Sequence, residues 1–237
     1  MQIDRSAMDV WGAADRRGDR VVNVCFHGTG PPRRRLEPGE DAYWVDHGRF
    51  LRLLDEVATW PRVRLSFDDG NRSDVEIALP ALVERGLRAD FFVVAGRLGH
   101  AGCLAEEDLR ELSRCGMGIG NHGMSHRPWR RMDPATRHRE LVAARDRLAA
   151  AAGTVVDTAA CPLGRYDRRL LADLRRLGYT RVFTSDRRPA RAGAWLQPRH
   201  SVRADDTPES LRATVLRPPG PVRRVRAGVV GVVKRLR

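Results

Sequence analysis

The chain has 237 residues, 43 basic against 30 acidic for a formal net charge of +13, with 42% hydrophobic and 31% charged positions. That balance excludes a wholly disordered or collagen-like chain, no apolar run approaches the roughly 20 residues that span a bilayer, and the length suits one domain of barrel size. The excess charge invites an anionic partner, yet Lys234 is the only lysine, so a uniform arginine bias explains it equally well.

Residues 1–20 hold no apolar stretch like that of a secretory leader and read as an N-terminal extension. The first predicted strand is 21–26, with His27 at its C-terminal end. Phe50, Leu51, Leu54, Val57 and Ala58 recur at helical spacing and predict a helix through about residues 48–58. A strand follows at 63–67. Ser73 with Glu76 then reads as a capping box opening a helix that carries Val75, Leu79, Leu82 and Val83, kinked at Pro80. Further strands are predicted at 89–94 and 117–120. Asp133-Pro134 opens a long helix that Gly153 closes. After a strand at 155–160, Asp167 and Gly178 bracket a helix with Leu170, Leu171, Leu174 and Leu177 on its buried side. The last strands are 180–184 and 196–202, and Thr207-Pro208 opens the last helix.

Strands alternating with helices predict parallel βαβ units. Seven such strands suit an α/β fold of the irregular (β/α)7 barrel type over residues 21–215, with an open doubly wound sheet as the alternative. Residues 216–237 change character. They contain the breaker Pro218-Pro219-Gly220-Pro221 and, from Arg217 onward, seven basic residues and no acidic one. Such a tail is expected to meet an anionic membrane surface. The four cysteines, Cys25, Cys103, Cys115 and Cys161, form no C-x-x-C pair, which argues against a disulfide framework or a thiolate zinc site. The expected location is cytoplasmic, peripheral to the inner face of the membrane.

Barrel chemistry sits at the C-terminal ends of the strands. Those ends carry His27, then Asp68-Asp69-Gly70, then Asn121 to His126, then Cys161 to Asp167, then Asp186. His122 and His126, four apart, would face the same way on a helical turn. With one carboxylate from another strand they would form a two-His, one-Asp metal set with open positions. A chance polar pair is the competing explanation. Asp-Asp-Gly can be a plain turn or cap, but two adjacent carboxylates at a strand end are hard to ionise together without a cation.

Leu65-Ser66-Phe67-Asp68-Asp69-Gly70 and His122-Gly123-Met124-Ser125-His126 resemble the first two motifs of the polysaccharide deacetylases, the NodB-homology group of carbohydrate esterase family four. Gly116 to His122 is similar to the approach to the second motif, and Ala89 to Val93 to the third strand. The resemblance covers roughly residues 21–215 and implies an irregular (β/α)7 barrel. It also implies metal-dependent removal of N-acetyl groups from an amino sugar, in a polysaccharide, a glycan precursor or a glycoside. By position, Asp69, His122 and His126 would hold one divalent ion, zinc foremost with nickel, cobalt or iron as alternatives, and Asp68 would be the general base.

Two departures stand out. The family's third motif begins with an arginine that steadies the base, and Ala160 occupies that place here. Pro162, Gly164, Tyr166 and Asp167 instead resemble a variant branch. No late Leu-x-His motif is present. Some members are circularly permuted and place that histidine on an early strand, as His27 is placed, so His27 is the expected general acid and His200 its rival. Arg165, Tyr166, Arg199 and Trp129 are weaker candidates for substrate contact. Arg165 could equally be solvated, Arg199 salt-bridged and Trp129 packed on the barrel. Asp186 would orient His27 or cap a turn, while His47, His100 and His138 read as surface residues. A competing function is a non-catalytic binder of anionic surfaces, membrane or nucleic acid, on the same fold. No interleaved aromatic and basic platform is present, so no nucleic-acid partner is expected.

Overall fold

The computed structural model describes residues 20–216; the predicted N-terminal extension up to residue 19 and the basic tail after Leu216 lie outside the described residues. Strand β1 (Arg20–Phe26) pairs in parallel with β2 (Val63–Asp69). The parallel ladder continues through β3 (Ala89–Val93), β4 (Gly118–Asn121), β5 (Thr158–Ala160) and β6 (Arg181–Thr184). A two-residue strand, β7 (Ala190–Arg191), runs antiparallel to the start of β1. Then β8 (Leu196–Pro198) pairs with β6, and β9 (His200–Ser201) pairs with β1 at Val24 and Cys25. The sheet nearly closes on itself, as the irregular (β/α)7 barrel requires, and an open sheet is excluded.

The closure corrects one prediction. Residues 196–202 are not one strand but two short ones that serve opposite edges of the seam. Pro198 has no N–H to extend a ladder, and the Arg199 N–H donates to the Thr184 carbonyl instead (2.8 Å). The predicted strand 155–160 is also shorter, because only its last three residues pair and Val155 is exposed.

The helices follow the local signals closely where those signals are caps. The Asp46 side chain accepts from the Arg49 N–H (2.9 Å) and opens α1 (His47–Ala58), which buries Phe50, Leu53, Leu54 and Val57. The capping box at Ser73 does not form. Its hydroxyl accepts from the Thr29 N–H (3.3 Å), and a π turn, Asp74–Ala78, precedes α2 (Leu79–Glu84). Pro80 cannot donate to the carbonyl four residues back, and the wide turn takes up the mismatch in place of a kink. A helix not anticipated from the sequence, α3 (Glu106–Arg114), joins β3 to β4. Asp133 caps α4 (Pro134–His138), which passes through a second π turn, Arg139–Ala143, into α5 (Ala144–Ala152), and Gly153 ends it at φ +65°. Asp167 caps α6 (Arg168–Arg176), and Thr207 caps α7 (Pro208–Val215). No helix among the described residues is long and apolar enough to cross a membrane.

Strand alternation sorts the side chains. Val24, Phe26, Leu65, Phe67, Phe91 and Val93 pack beneath the helices, with Phe67 stacked between Phe26 (5.4 Å) and Phe91 (4.9 Å). Their neighbours Asn23, Cys25, Arg64, Ser66 and Asp68 fall on the other face, inside the barrel. There Asn23 Nδ2 donates to Gln197 Oε1 (3.0 Å) and the Pro198 carbonyl (2.9 Å), and Phe92 meets Phe183 across the interior (4.9 Å). An interior lined this way leaves polar groups at the mouth.

Candidate active site

Consecutive strand residues point to opposite faces, so Asp68 and Asp69 should diverge. They do not, because the backbone turns left-handed at Asp69 (φ +81°) and again at Gly70 (φ +74°). At Gly70 a Cβ would lie 2.8 Å from Val93 Cγ1, so only glycine fits the turn. Both carboxylates therefore line one cavity of about 510 Å³, together with His27, Glu37, His122 and His126.

The two histidines meet by a different route from the expected helical turn. Residues 123–126 form a loop, left-handed at Gly123 (φ +88°) and at His126 (φ +50°). Glu140, fully buried on the second π turn, pins this loop by accepting from the Met124 N–H (2.8 Å), the Ser125 N–H (3.3 Å) and the Ser125 hydroxyl. The imidazole rings end 5.3 Å apart. His122 Nδ1 lies 2.9 Å from the Ala160 carbonyl, and His126 Nδ1 lies 2.8 Å from Glu37 Oε2. Both acceptors select the tautomer protonated on Nδ1. That leaves each Nε2 lone pair facing Asp69 Oδ1, at 3.6 Å from His122 and 3.2 Å from His126.

Asp69 Oδ1 is buried without a hydrogen-bond partner among the described residues. Three acceptor atoms thus converge within 4.8 Å of one another, and no donor among the described residues serves them. Such a set fits a divalent cation and little else. Burial opposes charge on Asp69, but the nearby His126, His27 and His122 hold its carboxyl below the usual range.

A second cluster, Cys25, His27 and Asp68, is equally compact but does not fit a cation. Burial pushes the Cys25 thiol up, so it stays protonated, with Sγ 3.4 Å from the Phe26 carbonyl. Arg199 holds both oxygens of Asp68, Nη1 on Oδ1 and Nη2 on Oδ2, each at 2.6 Å. Nη1 also donates to Ser66 Oγ (3.0 Å).

The same clamp corrects the reading of Arg199 as a substrate contact. It has no exposed surface and neutralises Asp68. Burial alone would raise the Asp68 pKa, but the guanidinium, with His122 and His27 adding, holds the carboxyl well below the usual range. An arginine steadying Asp68, missing at Ala160, thus enters from the seam segment between β8 and β9.

The remaining candidates separate by location. His27 lines the cavity, its Nδ1 buried without a partner and its ring 5.2 Å from Tyr43. His200 does not line it, and burial, with Arg187 adding, pushes its pKa down to about 4. Arg165 is exposed on the cavity wall, beside Leu163 and Arg187. Tyr166 and Trp129 are corrections. Tyr166 is buried and donates to Asp186 Oδ2 (2.7 Å), which also accepts from the Thr184 hydroxyl (2.9 Å). Trp129 is 1% exposed and packs with Met132, Leu141 and Tyr166, so neither ring faces the cavity. Cys161 is buried on the cavity wall, and His47, His100 and His138 are exposed.

Sequence reasoning missed Glu37 and Glu140. Glu140 left a signal, an acid in the buried stripe with Leu141, Ala144 and Leu148. Glu37 left none, because it sits in the aperiodic segment between β1 and α1.

A family profile for polysaccharide deacetylases matches residues 57–182, a span that holds Asp68, Asp69, His122 and His126 but neither His27 nor Arg199. YxkH of Bacillus subtilis, a protein named as a polysaccharide deacetylase, is 26% identical over 144 residues, 60% of this chain and 50% of that protein. The chain thus spans about half the length of this curated relative. Among solved structures, the deacetylase PplD of Streptococcus pyogenes, in complex with acetate, superposes with a TM-score of 0.72 at 21% identity, covering 85% of this chain and 100% of that one. IcaB from Ammonifex degensii superposes at 0.68 and 22% identity, covering 84% and 98%. At these identities the two structures speak for the fold.

Proposed function

The chain belongs to the polysaccharide deacetylase family, and from that premise we propose that it hydrolyses an N-acetyl group on an amino sugar, using one divalent ion held by Asp69, His122 and His126. The substrate class is an acetylated polysaccharide, glycan precursor or glycoside. The observation that carries this reading is the convergence of three acceptor atoms beside a separately clamped carboxylate.

Two imidazoles and a carboxylate suit zinc, and also nickel, cobalt or iron. A divalent ion held there would acidify water and polarise the acetamido carbonyl. Asp68 takes the proton from the attacking water. Arg199 lowers its basicity but keeps it charged and aimed, with carboxylate lone pairs left to accept. The water oxygen bonds to the acetyl carbon, the C–N bond breaks, and the nitrogen leaves as an amine only if it is protonated. His27, on the same cavity wall, supplies that proton. His200 is the poorer candidate, since it does not line the cavity and burial pushes its pKa down to about 4. Acetate and a free amino sugar are the products. Arg165, joined by Leu163 and Arg187 on the same wall, contacts the sugar.

A panel of variants tests these roles. Asp69→Ala should lose the metal by elemental analysis while keeping its circular dichroism. Asp68→Asn should keep the metal and lose about 10²–10⁴-fold in acetate release. His27→Gln should cripple hydrolysis of acetamido sugars and spare an activated ester whose leaving group needs no proton. Metal retained in Asp69→Ala, or lost in Asp68→Asn, would reverse the two aspartates. Equal losses on both substrates would remove His27 from proton transfer.

A further inference from the structure

We infer that Glu37 is a positioning residue of the metal centre, its carboxylate fixing the imidazole of His126. This role rests on the assignment of Asp69, His122 and His126 as the ligand set.

The two histidines are held in different ways. His122 follows directly from β4, and its Nδ1 is served by a backbone carbonyl, Ala160. His126 lies at the end of a loop in a left-handed conformation that a non-glycine residue adopts at a cost. It is also the more exposed of the two, 9% against 3% for the side chain. Besides Asp69, its ring meets Glu37, 89 residues away in sequence. An imidazole free to rotate or change tautomer would present Nε2 to the metal only part of the time. A carboxylate on Nδ1 removes that freedom and strengthens the ligand.

Glu37 is itself well fixed. Its second oxygen accepts from Arg97, which belongs to the turn Ala95–Arg97 after β3. Its backbone N–H donates to Glu40 Oε2 (2.8 Å), and Glu40 is paired with Arg34, whose Nε donates to Asn71 Oδ1 (3.0 Å). One carboxylate therefore links the connections that follow β1, β3 and β4. Both of its oxygens accept, one from a guanidinium and one from an imidazole. A glutamine cannot reproduce this, because its amide would set N–H against one of the two donors.

The test is the zinc affinity of the full chain, by competition with a chromophoric chelator. Glu37→Gln should bind zinc about 10–100-fold more weakly than the wild type, the usual cost of losing such a partner. The unfolding temperature of the metal-free variant should stay close to that of the metal-free wild type. Asp41→Asn removes a negative charge from the same segment, at an exposed side chain that the argument for Glu37 does not use, and its zinc affinity should stay within about threefold of wild type. Wild-type affinity in Glu37→Gln, or an equal loss in Asp41→Asn, would overturn the role. A wild-type chain that binds no zinc, nickel, cobalt or iron would overturn the metal assignment, and Glu37 with it.

Discussion

At the scale of residues, the site turns on a division between two adjacent aspartates. Asp69 has a free oxygen facing two imidazole lone pairs, while both oxygens of Asp68 are taken by Arg199. As the proposed general base Asp68 must be ionised to accept a proton, so activity should fall as pH drops through its pKa. Burial opposes that ionisation and Arg199 restores it. Arg199→Met removes the largest of the charges that oppose burial, raises the Asp68 pKa and moves the acid limb of the pH–rate profile to higher pH. An acid limb that stays in place would show that Arg199 does not set the charge on Asp68. The aspartates and both histidines are legible in the sequence because each pair lies within five residues at a strand end. Arg199 and Glu37 are not, because their partners lie 131 and 89 residues away and no spacing rule reaches that far.

At the scale of elements, local signals held where the physics is local. Asp133, Asp167 and Thr207 cap helices as their sequence positions predict, since a cap needs only the next three residues. Ser73 fails as a cap because its hydroxyl is drawn to Thr29, across the fold. The π turn at Arg139–Ala143 is likewise a tertiary feature. It carries Glu140, whose carboxylate organises the loop between the two histidines. Glu140→Ala would leave the Met124 and Ser125 donors unserved and should cost about 2–4 kcal/mol in urea unfolding of the metal-free protein, from several hydrogen bonds to one charged group. The exposed Glu107 on α3 is the comparison, and its alanine variant should stay within about 0.5 kcal/mol of wild type. Equal stabilities for the two variants would show that the loop is held by other contacts.

At the scale of the whole molecule, alternation of strand and helix is enough to read the barrel, but not how it closes. Closure depends on a proline that interrupts the last strand and on Gln197, which accepts from Asn23 and Arg64 inside the barrel. The same break brings Arg199 under Asp68, so the seam that completes the sheet also completes the site. Whether the chain is a metal-dependent deacetylase is read from acetate release on a panel of N-acetylated sugars and glycans by one preparation in three states: zinc-loaded, stripped by chelator, and reloaded. Acetate should come from the loaded protein, fall to background on stripping, and return with one equivalent of metal per chain. Acetate release that survives complete removal of the metal, or a fully loaded chain that releases none from any of the panel, would contradict metal-dependent deacetylation.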